Sequence, residues 1–268
     1  MTQAPEAPAR TRARISERTF RTDSWWKQPR VVATGLTIWV AYATVRVFTG
    51  HWYYVPADHY LTPFYSPCVS GECVRGSSTL GQWIPAVPPI IPYAFVSLVF
   101  VLGFRFTCYY YRGAYYRAFW RAPSACAVRE PHAKYTGETR VPLIAQNVHR
   151  YFWYAALFIA ILLSYDAAQA FRGPNGDFGI GIGSLILLAN VILLWCYTLG
   201  CHSCRHITAG RLKNFSKHPV RYWAWTKFSW LNARHMQFAW ITLGTLMLSD
   251  LYIMLVASGA FPDPRIFN

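Results

Sequence analysis

Two thiols and two imidazoles lie within the six residues from Cys201 to His206. Thiolates bind zinc, Cu(I) and iron–sulfur clusters, and imidazole binds zinc, copper and iron. The stretch follows a long apolar run and precedes a basic segment, so we expect these donors to lie at a membrane boundary. Taken alone, the stretch is compatible with a metal centre and equally with a redox-inert pocket of packed cysteine and histidine side chains.

The composition indicates which elements position these donors. Hydrophobic residues make up 54% of the 268 residues and charged residues only 14%, yet the formal net charge is +15. An apolar chain with concentrated positive charge is typical of integral membrane proteins, whose cytoplasmic loops are enriched in Lys and Arg. Nucleic-acid binding would account for the charge but not for the long apolar runs. The sequence has no repeat, no secretory cleavage signal and no flavin- or nucleotide-binding motif.

Five segments meet the requirement of about 20 mostly apolar residues for a membrane helix. They are Val31–Phe48, Ile90–Cys108, Tyr151–Phe171, Ile180–Leu199 and Met236–Ala257. The sequence therefore predicts an all-α membrane bundle of five transmembrane helices.

The distribution of Lys and Arg predicts how the bundle is oriented. Seven lie in residues 1–30, six in residues 112–140 and seven in residues 205–234, whereas the other three connections hold one each. Because cytoplasmic segments carry the excess of positive charge, we expect a cytoplasmic N-terminus and an outside C-terminus in the plasma membrane. Residues 1–30 are then a basic cytoplasmic tail, and residues 31–268 form the transmembrane domain with an outer loop at 50–89.

This orientation sorts the cysteines by compartment. Cys68 and Cys73 lie in the outer loop, where an oxidising environment makes them candidates for a disulfide. Cys201 and Cys204 lie on the reducing cytoplasmic side, where metal binding is favoured. Two other cysteines lie within spans and are interpreted as core packing: Cys108 and Cys196.

Four histidines lie at the same predicted depth as the cytoplasmic thiols. His149 opens the third span, His235 opens the fifth, and His202 and His206 follow the fourth. A single histidine at a helix end is usually an ordinary polar residue. Four from three spans, beside two cysteines, favour a metal site.

Helix geometry narrows the ligand set. If the fourth span continued to residue 206, the two cysteines at i, i+3 and the two histidines at i, i+4 would occupy faces roughly 150° apart. Either the helix ends at Gly200 and the stretch is a loop, or the histidine ligands come from the neighbouring spans. We predict the ligands Cys201, Cys204, His149 and His235, with His202 and His206 as alternates. Such a set suits tetrahedral zinc or a Rieske-type [2Fe–2S] cluster, and two histidines from different spans could instead hold a b-type haem.

Four long stretches resemble the single-chain membrane anchor of actinobacterial succinate dehydrogenase, the respiratory complex II class whose anchor carries a Rieske-type cluster instead of haem. They are residues 13–19, 60–68, 135–140 and 197–207. The resemblance covers nearly the whole chain. The five-span plan is also similar to that of one-subunit dihaem fumarate reductase anchors, but the second span here contains no histidine.

The resemblance implies a division of labour among subunits. A soluble flavoprotein subunit oxidises succinate, and a soluble iron–sulfur subunit relays the electrons. This chain, with no dehydrogenase site of its own, docks both subunits and passes electrons through the [2Fe–2S] cluster to membrane quinone. The alternatives are a b-type haem-binding quinone oxidoreductase anchor and a non-enzymatic membrane protein with a structural zinc site. We expect residues 112–140 and 205–234, with the tail, to dock the soluble subunits, although their aromatic residues also suit a lipid belt.

A quinone site requires an apolar slot with a few polar groups, close to the predicted cluster. Six residues at that depth are candidates: Arg105, Tyr109, Tyr110, Arg150, Trp230 and Arg234. Arg105 lies four residues inside Tyr109, on the same face of a helix. An ionisable residue inside a membrane indicates a functional site, with snorkelling of the side chain to the interface as the alternative.

Overall fold

The computed structural model describes residues 24–68, 91–120, 139–173 and 175–268. Helices dominate this part of the chain, which confirms the predicted all-α bundle. The α-helices are α1 (Lys27–Thr49), α2 (Ala94–Phe106), α3 (Arg112–Tyr115), α4 (His149–Gln169), α5 (Ile182–Leu199), α6 (His202–Ala209), α7 (Pro219–Asn232) and α8 (His235–Ala257). The short strands are β1 (Tyr54–Val55), β2 (Tyr60–Leu61), β3 (Ile180–Gly181) and β4 (Arg265–Phe267).

Four helices are long and apolar enough to cross a membrane, and a bent pair of helices makes a fifth if the pair is counted as one span. The four are Lys27–Thr49, Ile144–Gln169, Ile182–Leu199 and His235–Ala257. The bent pair joins Ala94–Phe106 to Tyr109–Trp120 at an angle of 47°. The third span begins at Ile144 instead of Tyr151, because a 3₁₀ turn over Ile144–Val148 leads directly into α4. The orientation of the bundle stays a prediction.

The spans pack through residues that allow close approach. Helix α5 lies between α4 and α8, and α2 contacts both α1 and α4. A Cβ atom at Gly103 of α2 would lie only 2.1 Å from the ring of Phe152 on α4. Small residues allow helix backbones to approach closely where lipid provides no hydrophobic driving force for association. Gly103 therefore sets the distance between α2 and α4, which flank the site described below.

The bend in the second span interrupts its helix inside the bundle, at Thr107 and Cys108. The Thr107 hydroxyl donates to the Gly103 carbonyl at 2.6 Å, and Cys108 then adopts an extended conformation (ψ 133°). A 3₁₀ turn, α3 and a π-helical turn over Tyr116–Trp120 continue the chain. A threonine bonded back to the preceding turn often bends a helix. The break places Cys108 between two helical segments instead of within one.

At the other end of the bundle, an ion pair lies inside the span region. Arg46 of α1 donates to Asp250 of α8 at 2.6 Å, and both side chains are buried. The Tyr42 hydroxyl donates to the same carboxylate at 2.7 Å. A buried carboxylate is tolerated when it is paired and hydrogen-bonded, so these contacts tie α1 to α8.

Residues near β4 close the same end of the bundle. β4 pairs with β3 in antiparallel fashion, and Asp263 accepts hydrogen bonds from Tyr60 at 2.8 Å and Tyr252 at 2.5 Å. Arg265 forms an ion pair with Asp58 in the turn between β1 and β2. We call this region, defined by the described carboxylates Asp58, Asp166, Asp177, Asp250 and Asp263, the carboxylate end.

Candidate metal and quinone site

The stretch from Cys201 to His206 is divided by a helix break. α5 ends at Leu199, Cys201 is extended (ψ 144°), and α6 begins at His202. Of the two alternatives that the sequence left open, a helix end at Gly200 is present, but the stretch that follows is a second short helix and not a loop. Because of the break, Cys201 and Cys204 do not share one continuous helix face.

A cavity of about 320 Å³ lies where the second, third, fourth and fifth spans meet. Its lining residues are Cys108, Tyr109, Tyr110, His149, Cys201, His202, Asn232, Ala233, His235 and Met236. We call it the thiol cavity. Two thiols and three imidazoles from separate parts of the chain therefore converge on one space.

Within the thiol cavity the donors form two thiol–imidazole contacts. His149 Nε2 lies 3.0 Å from Cys201 Sγ, and His235 Nε2 lies 3.3 Å from Cys108 Sγ. Each thiol of the cavity is thus in contact with one imidazole, and the four residues come from four different parts of the chain.

Stacked aromatic rings hold both imidazoles in place. Phe104 stacks on His149 with ring centroids 5.0 Å apart, and Tyr197 stacks on His235 at 4.7 Å. The Thr107 hydroxyl lies 2.8 Å from His149 Nδ1, which leaves Nε2 directed at the thiol. Metal-ligating histidines usually have such a partner on the second ring nitrogen. His235 Nδ1 is buried and has no hydrogen-bond partner among the described residues.

The thiol pair in the cavity differs from the predicted pair. Cys108, interpreted from the sequence as core packing, lines the thiol cavity and contacts His235. Cys204 is buried on α6 among aromatic residues and is not part of the cavity lining. The sequence does indicate the position of Cys108, because the predicted second span ends there. That end lies at the same predicted membrane depth as the four histidines.

Burial keeps the thiols near α6 protonated. Burial and the nearby Cys108 thiol raise the pKa of Cys201 to about 12, and burial raises the pKa of Cys204 to about 11. Burial and the Arg205 guanidinium lower the pKa of His202. Because cysteine binds a metal as thiolate, metal binding would have to displace these protons. Within residues 24–68, 91–120, 139–173 and 175–268, no three His, Cys, Asp or Glu side chains are grouped so that they could hold one metal ion.

A second, more polar cavity of about 300 Å³ adjoins the thiol cavity. Its lining residues are Tyr109, Gln146, Asn147, His149, Arg150, Tyr151, His202, Ser203 and His206. We call it the polar cavity. It shares Tyr109, His149 and His202 with the thiol cavity, so His149 faces both spaces. Arg150 donates to His206 Nδ1 at 2.6 Å on its wall.

Gln146 connects the two cavities and was not recognised from the sequence. Its Nε2 donates to the Cys108 carbonyl at 3.0 Å. A carbonyl can only accept, so this contact fixes the orientation of the amide. The contact holds the backbone of Cys108 in place, whereas the buried Oε1 of Gln146 has no partner within the described residues.

The structure separates the six predicted quinone residues into three groups. Tyr109 and Arg150 line the polar cavity, and Tyr110 lines the thiol cavity. Trp230 is 57% exposed, and the Arg234 guanidinium stacks on it at 4.1 Å, away from both cavities. The sixth residue, Arg105, lies inside the bundle.

Arg105 does not snorkel, because it is only 1% exposed. Its guanidinium donates to the Ala239 carbonyl at 2.6 Å and to the Thr242 hydroxyl at 2.7 Å, and it stacks over Tyr197. It also lines a small central cavity of about 50 Å³. These contacts tie α2 to α8 directly behind His235. A contact of Arg105 with quinone stays a prediction.

The remaining sequence predictions concern loops. Cys68 is disulfide-bonded, but Cys73 lies outside the described residues, so their pairing stays a prediction. Residues 121–138 of the first docking segment also lie outside them. In the described parts, Phe119 and Trp223 are more than 60% exposed, and α7 contains no buried residue.

Comparisons with known proteins agree on one family. The family described as "Actinobacterial succinate dehydrogenase subunit SdhC" matches residues 27–259. The chain is also similar to a solved structure described as "Mycobacterium smegmatis Sdh1 complex in the apo form". It shares 63% identity with that chain, the match covers 98% of both chains, and the TM-score is 0.85. A search of curated proteins finds no match.

Proposed function

Because the chain belongs to the SdhC family of actinobacterial succinate dehydrogenase, we propose that it passes electrons from a soluble iron–sulfur subunit to membrane quinone. As a member of that family, it is a multi-pass plasma-membrane subunit of an oxidoreductase, and its partners are other subunits of the enzyme. The proposal rests on one observation. Two thiol–imidazole contacts converge between the spans beside a polar cavity of about 300 Å³.

The donor set suits a Rieske-type [2Fe–2S] cluster, in which two cysteines hold one iron and two histidines hold the other. Cys108, Cys201, His149 and His235 all line the thiol cavity, where each thiol contacts one imidazole. The cluster would replace the two thiol–imidazole contacts. We therefore propose Cys108 in place of Cys204 as the second thiolate ligand. When bound, the cluster supplies one-electron transfer at a potential raised by histidine ligation.

The two alternative centres fit the cavity less well. Structural zinc requires four donors around one point, and no group of three suitable side chains is present among the described residues. A b-type haem would need room for a macrocycle between its two histidines. The imidazoles here are instead stacked against Phe104 and Tyr197 and face thiols.

We place the quinone ring in the polar cavity. Ligand sites combine apolar contact with a few polar groups. The hydrogen-bond donors on the wall of this cavity could bind the two carbonyl oxygens of a quinone. Arg150 and His206 are in contact there. Tyr109 and His149 line both this cavity and the thiol cavity. His149 would then lie between the cluster and the quinone, within one side chain of both.

The exposed basic and aromatic residues of α7 and the π-helical turn support docking of the soluble flavoprotein and iron–sulfur subunits. Arg205 stacks on Trp225 at 5.1 Å, and Lys227 lies 6.0 Å from the Trp223 ring. Tyr, Trp and Arg are enriched at interface cores. Cross-linking of the assembled complex should place the iron–sulfur subunit on α7. Cross-links confined to residues 53–83 would contradict this arrangement.

Metal analysis combined with spectroscopy tests the proposed centre. The purified complex is compared with a His149→Ala complex, so that clusters of the soluble subunits cancel. We expect the variant to lose two irons, two sulfides and a Rieske-type signal in low-temperature electron paramagnetic resonance. Loss of one zinc with no change in iron would instead establish the structural-zinc alternative.

A further inference from the structure

An apolar groove of about 550 Å³ runs along α1 on the side that faces the bent half of the second span. One wall is a single stripe of α1 that runs from Pro29 to Ala41 and includes Ala33 and Thr37. The twelve helical steps from Pro29 to Ala41, at about 1.5 Å each, give a groove about 18 Å long. The groove shares no lining residue with the thiol or polar cavity.

The opposite wall exists because the second span is bent. Phe106, Tyr115 and Phe119 form this wall with two alanines. The Tyr115 hydroxyl donates a hydrogen bond to the Phe106 carbonyl at 2.6 Å. The wall therefore presents hydrocarbon and ring edges. The small side chains Ala33 and Ala41 on α1 leave the space open toward the surface, where both are exposed.

Cations frame the end of the groove near the start of α1. Arg30 lies on the same helix face as Ala33 and Thr37, and its guanidinium stacks over Trp26 at 4.4 Å. On the other wall, Arg117 donates to Gln28 at 2.6 Å, next to Pro29. Lys27 adds a third, exposed cation. Residues 24–50 and 91–120 contain no Asp or Glu, so these segments provide no counter-charge.

The position of two of these cations is unfavourable without an anion. Lys27 and Arg30 lie in the first turn of α1, which contains no acidic residue. The start of a helix carries partial positive charge, and cations are destabilising there while anions are stabilising. A negative group bound at this end of the groove would offset both the helix dipole and the repulsion between the cations.

We propose that the groove binds one anionic phospholipid, with its phosphate between Arg30 and Arg117 and an acyl chain along α1. The apolar length and the basic end are adjacent and in line, which is the layout of such a lipid. Each cation near an anionic lipid strengthens binding. A quinone tail would fill the apolar part but would supply no negative charge to the cations.

Native mass spectrometry of the delipidated full complex tests the site. Phosphatidylglycerol or phosphatidylcholine with identical acyl chains is titrated into the complex. We expect phosphatidylglycerol to bind about tenfold more tightly, and the double variant Arg30→Gln, Arg117→Gln to abolish that preference. The matched control, Arg211→Gln with Lys213→Gln, removes the same charge outside the groove and should keep the preference. If the double variant does not assemble, Lys27→Gln with Arg30→Gln, both on the exposed rim, replaces it.

A second variant tests the apolar part of the groove. Ala33→Leu with Ala118→Leu fills the groove at two exposed positions, and we expect it to reduce lipid retention although every cation remains. Equal binding of the two phospholipids to the wild-type complex would overturn the proposal. So would a filled variant that loses quinone but retains phosphatidylglycerol, because the groove would then hold the quinone tail.

Discussion

The two ends of the bundle solve the problem of polar groups in a membrane in opposite ways. At the carboxylate end, the side chains of Asp58, Asp166, Asp250 and Asp263 all have hydrogen-bond partners, and Asp250 is bound by both Arg46 and Tyr42. At the opposite end, which holds the thiol cavity, no described carboxylate is present. The buried groups there are neutral thiols and imidazoles beside two cavities.

The two ends therefore differ in whether their buried polar groups remain able to bind a ligand. Arg46 and Asp250 satisfy each other, so they stabilise the packing of α1 against α8 and have little capacity left for a ligand. His149, Cys201, His235 and Cys108 are soft donors whose contacts a metal centre can replace. Buried polar groups that are incompletely satisfied mark functional sites, whereas saturated pairs mark structural ones. The comparison predicts that mutations at the two ends have separable effects.

The largest effect is expected from removing a thiol that lines the thiol cavity. Cys108→Ala or Cys201→Ala should eliminate the Rieske-type signal and reduce succinate-dependent quinone reduction more than about 100-fold, since even second-shell losses cost 10- to 100-fold. Cys196→Ala, a half-buried thiol on α5, is the control. Cys204→Ala distinguishes the two thiol pairs: a lost signal in this variant with a retained signal in Cys108→Ala would restore the pair predicted from the sequence.

At the opposite end, Asp250→Ala should destabilise the protein by about 3–5 kcal/mol, because the buried Arg46 charge is left without its partner. The thermal unfolding temperature should fall, while the cluster signal of the folded fraction should not change. The double variant Arg46→Met, Asp250→Leu removes both charges and should recover most of the stability. A lost cluster signal in folded Asp250→Ala would show that the two ends are not separable.

A smaller effect is expected on the wall of the polar cavity. Arg150→Gln should raise the KM for quinone about tenfold, since hydrogen bonds from charged groups contribute about 1.5–3 kcal/mol. The cluster signal should be retained because Arg150 does not line the thiol cavity. Lys213→Gln removes an equivalent charge from an exposed position as the control. An unchanged KM in an assembled Arg150→Gln complex would move the quinone away from this cavity.

The smallest effect concerns one hydrogen bond at the carboxylate end. Tyr252→Phe removes one donor to Asp263, which keeps its contact with Tyr60, so we expect a loss of about 1 kcal/mol in stability. Quinone kinetics should not change. Tyr222→Phe on exposed α7 is the control, and thermal unfolding of both variants side by side makes the measurement. Equal unfolding temperatures would mean that Asp263 does not stabilise this end.

The sequence predicted the features that depend on local pattern. Hydropathy located the four spans and the bent helix pair, and His149, His235 and Cys201, which lie at span ends, line one cavity. The same criterion applied to Cys108 would have completed the set, but a cysteine in an apolar run also resembles ordinary core packing. The bend at Thr107 decides between these interpretations, and no proline marks it.

Features that depend on distant partners were not predictable. Arg105 was interpreted as facing quinone or snorkelling, since its acceptors Ala239 and Thr242 lie on α8, far along the chain. The pairing of Arg46 with Asp250 joins residues 204 positions apart. Hydrophobic periodicity shows which residues lie at one depth in the membrane, but it does not show which helices are neighbours.

The pairing of β4 with β3 also has a consequence for biogenesis. Arg265 meets Asp58 across 207 residues, and Asp263 meets Tyr60 across 203. Contacts of such long range form late, because most of the chain must be synthesised and inserted before both partners exist. The first spans are therefore in the bilayer before the contacts of Asp58 and Tyr60 with the C-terminal residues can form. We expect insertion chaperones and proteases to encounter this protein mainly before residues 263–265 emerge from the ribosome.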